Sequence, residues 1–357
     1  MRVPALLVTA LLVTLPSLLG AQTPEEASAA AEGAVAPLFR SHAPLRLRIE
    51  ADFDELKGDR DEDEDERDGT LVVEADDGSE GRYPLEIRTR GRFRLQRSTC
   101  SFPPLRLDVP RSQMEGTVFD GQDKLKLVTH CRDGSDFEQN TVEEYLVYRI
   151  YNEISPRSFQ VRMARVTYVD TSGDNEPVER WGFLIESDEG LAARLGGTAL
   201  EYEDLPNKMV HPAFTRGEDT GRIALFQYLI GNTDYSVFYG HNVVAVQIRE
   251  NFVIPVPYDF DWSGFVNASY ARPDERLGLN SVRQRSYRGV CRPDVDFAAL
   301  YGHFLSRREA ITALIRDEPS LREDEREDAL DYLDGFWEVI SDPQEARKRI
   351  EEECRQL

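Results

Sequence analysis

The amino-acid sequence predicts an α+β fold in two lobes: a mostly antiparallel sheet with one packed helix, followed by a mainly helical lobe. Short segments of alternating apolar and polar residues, separated by Gly and Pro, fill the first half of the chain. From residue 296 onward apolar residues instead recur every three to four positions, which is the helical period. With 357 residues and 40% hydrophobic content, the chain can bury a sizeable core.

Seven segments of the first half have the pattern of half-buried strands. In residues 124–128, for example, two leucines share one face and two lysines share the other. A helix is predicted around residues 143–151, where apolar side chains repeat at three to four positions, and Pro156 ends it. The predicted strands are residues 45–53, 70–75, 83–95, 104–109, 124–128, 160–169 and 181–186.

The second half begins with a predicted helix at residues 216–231, which leads directly into Asn232-Thr-Asp234. Two short apolar segments, residues 242–247 and 252–257, follow with a polar turn between them, and this pattern predicts a hairpin. The hairpin would bring the residues at its two ends to one edge of a sheet. A loop through Asn280 follows, and the segment from Asp296 to the C-terminus is predicted to be helical.

The N-terminus has the features of a secretory signal peptide. Arg2 supplies a positive start, residues 5–19 form an apolar run, and small residues precede Gln22. We therefore predict a signal peptide at 1–21, a tether at 22–43, a sheet-rich lobe at 44–186 and a mainly helical lobe at 187–357. No later segment is long and apolar enough to cross a bilayer, so we expect a secreted or periplasmic protein without a transmembrane segment.

The charge balance disfavours several classes of partner. A net charge of −23 and a pI of about 4.7 repel nucleic acids and anionic membranes, which are recognised through clustered cations. No nucleic-acid partner is therefore expected. The four cysteines fit two disulfides in an exported chain, and we favour Cys100 with Cys131 and Cys291 with Cys354.

Polar side chains gather around the predicted hairpin. Asp234 precedes its first strand, Asn242 begins that strand, and Asp259 and Asp261 follow the second. Carboxylate and amide oxygens suit a hard cation such as Mg²⁺ that carries phosphate. The alternative is that these residues are ordinary turn residues, since Asn and Asp are common in turns.

These motifs resemble the CotH spore-coat kinase family over roughly residues 45–264. The resemblance implies a protein-kinase-like fold, transfer of phosphate from ATP to a hydroxyl of a protein substrate, and Mg²⁺ as cofactor. The motifs that carry it, in chain order, are Arg88-Thr-Arg90-Gly91, the strand bearing Lys126, the helix, Gly182-Phe-Leu-Ile-Glu186, Asn232-Thr-Asp234, His241-Asn242 and Pro257-Tyr-Asp259-Phe-Asp261-Trp262.

The resemblance also implies a role for each polar residue. Asp234 would orient or deprotonate the acceptor hydroxyl, Asn242 would ligate magnesium, and Asp259 would hold the metal that bridges the nucleotide phosphates. Asp261 is a second metal candidate.

The cation that holds the nucleotide phosphates is less defined, because the chain has no Gly-x-Gly-x-x-Gly loop. The candidates are Lys126, Arg92 and Arg106, with Glu144 on the predicted helix as a partner for the cation. Lys126 is favoured because it combines a strand position with a nearby helix acid. A purely structural salt bridge between Lys126 and Glu144 is the alternative.

A second class of function stays open. The same residues also suit a catalytically inactive, pseudokinase-like binding or scaffold protein of the cell envelope, whose partner the sequence does not identify. Export favours this alternative, because ATP is scarce outside the cytoplasm.

Overall fold

Seven strands of the first half close into a barrel in the computed structural model, which describes residues 35–61, 65–75, 77–173 and 175–357. The strands are β1 (Leu45–Ala51), β2 (Arg67–Glu74), β3 (Glu80–Thr89), β4 (Leu105–Asp108), β5 (Lys124–Val128), β6 (Val161–Asp170) and β7 (Val178–Ile185). Their order around the barrel is β1-β2-β3-β4-β5-β7-β6. β1 closes the ring by pairing in parallel with β6, and every other neighbouring pair is antiparallel.

The predicted fold class is wrong. The two-lobed, protein-kinase-like fold requires an open antiparallel sheet in its first lobe, whereas this sheet is a closed mixed barrel. Closure comes from the pairing of β1 with β6, in which Leu45 lies opposite Ala164 and Ala51 lies opposite Asp170. This pairing removes both open edges of the sheet, which would otherwise expose unpaired backbone groups.

Apolar side chains fill the barrel. Along β1 every second residue is buried, from Leu45 to Ala51, and these side chains meet the inward-facing residues of the other strands. Leu38 and Phe39, just before β1, also pack into this cluster. The predicted signal peptide, residues 1–21, and the first part of the predicted tether lie outside the described residues.

The longest elements of the second half are helices. The helices of the described residues are α1 (Phe53–Leu56), α2 (Ser135–Ile154), α3 (Asp188–Arg194), α4 (Gly217–Ile230), α5 (Phe297–Arg316), α6 (Glu323–Ser341) and α7 (Pro343–Ala346). The long helix α2 packs on β6 and β7 on one side and on α5 on the other. It is therefore buried along most of its length and belongs to the same apolar cluster as the C-terminal helices.

A small sheet lies between α3 and the C-terminal helices in the chain. Its strands are β8 (Thr198–Leu200), β9 (Val243–Arg249) and β10 (Phe252–Pro257), paired antiparallel in the order β10-β9-β8. The predicted hairpin is thus confirmed. Helix α4 ends at Gly231, whose φ of 66° is left-handed, and a Cβ there would collide with the hydroxyl of Tyr332. Glycine at position 231 therefore allows α4 to end there, and the chain continues directly into Asn232.

Both favoured disulfides form. Cys100 is bonded to Cys131, and Cys291 to Cys354. Such bonds persist in oxidising compartments, so they are compatible with an extracellular protein. None of the helices in the described ranges combines the length and apolarity needed to span a membrane.

We expect that replacing Cys100 and Cys131 with alanine lowers the free energy of unfolding by about 3–4 kcal/mol, because the bond closes a loop of about 30 residues in the unfolded chain. Urea denaturation measures this difference. Wild-type protein whose disulfides have been reduced should lose at least as much stability. Equal stability of the double variant and the oxidised wild type would contradict the expectation.

Candidate active site

One cavity of about 620 Å³ is lined by residues of both the barrel and the small sheet. Seven of the eight site residues predicted from the sequence line it, although they come from distant parts of the chain. These residues are Arg92, Lys126, Glu144, Asp234, Asn242, Asp259 and Asp261. The exception is Arg106, which lies on β4 opposite Lys126 but does not line the cavity.

A buried arginine connects the elements around this cavity. Arg94 lies in the 3₁₀ turn Phe93–Leu95 after β3, and its Nη2 donates to Glu144 Oε2 on α2 at 2.7 Å. Its Nε donates to Asp261 Oδ2, after β10, at 2.9 Å. The three side chains are only 11%, 4% and 7% exposed. Burial opposes the charge on Arg94, but Asp261 and Glu144 outweigh it and hold the pKa of Arg94 above its ordinary value.

One carboxylate oxygen of Asp261, Oδ2, accepts from two donors. Besides Arg94, the hydroxyl of Tyr270 donates to the same Asp261 Oδ2 at 2.8 Å. The ring of Tyr270 in turn lies 5.8 Å from that of Phe93. Asp261 therefore holds the turn after β10 in position, and it is less suited to bind metal than its neighbour Asp259.

Asp259 is the open carboxylate of the site. Its backbone is left-handed, with a φ of 60°, and its N–H donates to the hydroxyl of Tyr148 at 2.9 Å. The side chain is 47% exposed and lines the cavity. Desolvation there, together with the negative charge of Asp261, raises the pKa of Asp259 to about 8.

Asn242 and Asp234 form a second polar group. The Asn242 Nδ2 donates to the backbone oxygen of Asp234 at 2.8 Å and to its Oδ2 at 3.1 Å. The other carboxylate oxygen of Asp234 lies 2.8 Å from Nε2 of His241, and this bond raises the pKa of His241. The backbone oxygen of Asn242 accepts from the N–H of Tyr258, so Asn242 lies beside the segment that carries Asp259.

Lys126 does not pair with Glu144, so the predicted salt bridge between them is wrong. The Lys126 Nζ instead donates to Asp188, at 2.8 Å to Oδ1 and 3.0 Å to Oδ2. It also lies 5.9 Å from the ring of Phe159 and 5.7 Å from the ring of Tyr258. Glu144 is instead paired with Arg94, which lies just after the end of β3. Arg94 was not among the site residues predicted from the sequence.

Arg90 is a further cation of the cavity that the sequence analysis did not single out as a site residue. Strand β3 ends at Thr89 rather than at residue 95, because Gly91 adopts a φ of 94° and turns the chain. Arg90 lines the cavity and forms no salt bridge within the described residues. The Arg-x-Arg-Gly motif was the signal that pointed to it.

The three aspartates of the cavity do not converge on one metal position. Within the described residues, only Glu66, Glu86 and Asp108, on the barrel, bring three acidic ligand oxygens within 4.8 Å of one another. Asp234, Asp259 and Asp261 are therefore not a compact carboxylate cluster. Mg²⁺ commonly takes one or two protein carboxylates and completes its shell with water and phosphate oxygens.

Asp259 and Asn242 are the residues of the cavity that could hold such a cation. Both residues adopt left-handed φ values, 60° and 54°, which are uncommon for residues other than glycine and concentrate at functional sites. The Nδ2 of Asn242 is used by Asp234, which leaves its side-chain oxygen as the group available to a cation.

Comparison with protein-family models and with curated proteins found no match. The resemblance to the CotH family therefore stays a prediction that rests on the motifs.

We expect Arg94→Ala to lower the free energy of unfolding by about 3–5 kcal/mol, since it leaves Glu144 and Asp261 buried without their cation. Arg94→Lys should restore only part of this stability, because lysine lacks the planar fork that reaches two carboxylates. Urea denaturation at pH 7 measures both. Arg82→Ala is the control: Arg82 is 51% exposed and pairs with Glu50, so its loss should change the free energy of unfolding little. A similar cost for both alanine variants would contradict this assignment.

We also expect Asp259→Asn to raise the melting temperature of the metal-free protein at pH 8. In the unfolded chain this carboxyl loses its proton near pH 4, whereas in the folded protein it does so near pH 8. The wild type therefore loses stability as the pH rises between these values, and the variant does not.

The advantage of the variant should be largest above pH 8 and should vanish as the pH falls towards 4. Thermal melts in a chelator across this range measure it. An advantage that does not depend on pH would show that another effect of the substitution causes it.

Proposed function

We propose that the protein is a Mg²⁺-dependent kinase that transfers phosphate from ATP to a hydroxyl of a protein substrate. The observation that carries the proposal is the gathering of Asp234, Asn242 and Asp259 around one cavity with several cations. Since the closed barrel differs from the expected fold, the proposal rests on the chemistry of this cavity and on the motifs that form it.

The cavity suits a nucleoside triphosphate in size and lining. Its volume of about 620 Å³ lies in the range of small-molecule sites, about 300–1,000 Å³. Phe159, Ile185 and Tyr258 provide an apolar wall near Lys126, which suits a purine ring. Arg90 and Arg92 provide cationic groups for phosphate oxygens.

Asp259 and Asn242 would hold Mg²⁺ through their side-chain oxygens. A bound Mg²⁺ supplies charge neutralisation to the phosphate oxygens. Because Asp259 must be ionised to bind a cation, its raised pKa implies that binding releases a proton and weakens below about pH 8.

Asp234 is the proposed base. Its carboxylate would accept the proton of the acceptor hydroxyl as that oxygen bonds to the γ-phosphorus of ATP and the bond to the bridging oxygen of ADP breaks. Asn242 and His241 both bond the Asp234 carboxylate and fix its orientation. They are positioning residues for this step.

We further propose that the protein acts outside the cytoplasm after removal of residues 1–21. The two disulfides support an oxidising compartment. The source of ATP there would be a donor supply specific to that compartment.

A nucleotide-binding protein without transferase activity is the second candidate. It is favoured by the ion pair between Lys126 and Asp188, which neutralises the lysine that was expected to hold phosphate. An active kinase would have to exchange this partner for phosphate oxygens, or use Arg90 in place of Lys126.

Titration calorimetry with ATP and Mg²⁺ tests the proposal. Wild-type protein should bind ATP only with Mg²⁺, and Asp259→Ala should abolish most of the Mg²⁺-dependent heat because the metal loses its carboxylate. Asp234→Asn should keep ATP binding while phosphate transfer to protein, followed with γ-labelled ATP, falls by about 10²-fold or more.

Asp334→Ala is the control for these variants. Asp334 is also an exposed aspartate that pairs with an arginine, Arg308, but it lies on α6 and outside the cavity. Its variant should bind ATP like the wild type. Absence of Mg²⁺-dependent binding in the wild type, or full binding by Asp259→Ala, contradicts the kinase proposal, and binding without transfer favours the second candidate.

A further inference from the structure

A second cavity, of about 690 Å³, lies against the other side of the Asp234 loop. The two cavities share four residues: Asp234, Tyr239, His241 and Trp262. The carboxylate proposed as the base therefore stands on the boundary between them. A group bound in the second cavity could reach Asp234 without entering the space proposed for ATP.

The second cavity is lined by four arginines, which come from three separate segments: Arg272, Arg276, Arg288 and Arg355. Its only carboxylate side chains, within the described residues, are Asp234 and Asp274. Asp274 already pairs with Arg276 at 2.6 Å. An excess of cations at one place contrasts with the net charge of −23 for the whole chain.

Arg288 connects this cationic lining to the proposed base. Its Nη1 donates to the backbone oxygen of Thr233, the residue before Asp234. Its Nε is buried and has no hydrogen-bond partner within the described residues. Burial and the positive charge of Arg355 both lower the pKa of Arg288, as expected where cations are crowded without enough anions.

The Cys291–Cys354 disulfide holds two of these segments together. The N–H of Arg355 donates to the oxygen of Gly289 at 2.8 Å, and the N–H of Cys291 donates to the oxygen of Arg355 at 2.9 Å. The Arg355 guanidinium also bonds the backbone oxygen of Arg288, through Nε at 3.0 Å and Nη2 at 2.8 Å. Arg288 and Arg355 are thus held next to each other.

We propose that this second cavity binds the protein acceptor, and that it selects a serine or threonine with acidic side chains beside it. The proposal rests on the proposed function and names its substrate class. The acceptor hydroxyl would lie at Asp234, while neighbouring carboxylates would pair with the arginines through charge-assisted hydrogen bonds.

The rest of the lining suits a peptide. Val237, Phe238 and Val290 provide an apolar wall for its backbone and uncharged side chains. Tyr239, which is 59% exposed, lies where the two cavities meet and offers an open aromatic surface. A basic acceptor would instead be repelled by the excess of arginines over aspartates in this lining.

Fluorescence anisotropy with a labelled peptide tests this proposal. The probe is a peptide with one serine flanked on each side by glutamates, and its partner has lysines in place of the glutamates. Both are titrated with the purified protein in the absence of ATP and Mg²⁺. We expect the acidic peptide to bind at least about 10-fold more tightly, and its affinity to fall as salt is added.

Arg276→Glu is the informative variant, because Arg276 is 85% exposed and, among the described residues, its side chain bonds only with Asp274, so the substitution should leave the fold intact. It should weaken binding of the acidic peptide by about 5–10-fold. Arg316→Glu is the matched control. Arg316 is also exposed (53%) and paired with one acid, Glu309, but lies outside both cavities. It should change the affinity by less than about twofold.

The proposal is overturned if the lysine peptide binds as tightly as the acidic one, or if the Arg276 and Arg316 variants bind the acidic peptide equally well. These measurements use no nucleotide, so they are separate from the calorimetry with ATP. Selective peptide binding together with a failure to bind ATP would support this cavity and reject the kinase. ATP-dependent transfer with a preference for the lysine peptide would reject only the acidic acceptor.

Discussion

The buried guanidinium of Arg94 is the interaction on which the site depends. It joins the turn after β3, helix α2 and the segment after β10, which are up to 167 residues apart in the chain. Removing such charges from water costs several kcal/mol per ion, so the group persists only because its geometry and hydrogen bonds are nearly complete. Its main effect is therefore to specify how the barrel and the small sheet are positioned around the cavity.

Arg94 only partly offsets the effects that make Asp259 difficult to ionise. Arg94 contacts Glu144 and Asp261 directly and lies 4.0 Å from Asp259, so one cation faces three carboxylates. Burial of Asp259 and the negative charge of Asp261 outweigh the attraction of Arg94, so Asp259 retains its proton until about pH 8. A divalent cation at Asp259 would supply the charge that the protein lacks there, which links the electrostatics of the site to its proposed chemistry.

The sequence patterns predicted most of the strands and helices, but they did not predict that the strands close into a barrel. Alternation along β1 identifies its buried face, since every second residue points inward, but it does not identify the neighbouring strands. The parallel pairing of β1 with β6 joins residues more than a hundred positions apart and has no local signal. The hairpin of β9 and β10 was predictable because its turn and both strands are contiguous.

The site was predictable to a similar extent. Asp234, Asn242 and Asp259 flank contiguous elements, so their convergence followed from the hairpin. The partner of Glu144 could not be predicted in this way, because the choice between Lys126 and Arg94 depends on where β3 ends. Gly91 ends that strand early and turns Arg94 inward towards α2, while Asp188 at the start of α3 engages Lys126. Local sequence patterns were therefore sufficient to locate the acids of the site, whereas the partners of its cations depend on tertiary packing. Two electrostatic effects of opposite sign would act on an acidic acceptor. The net charge of −23 repels it at long range, whereas the four arginines attract it at contact. Since added salt screens the long-range repulsion and also weakens the contacts, it should speed association and shorten the lifetime of the complex.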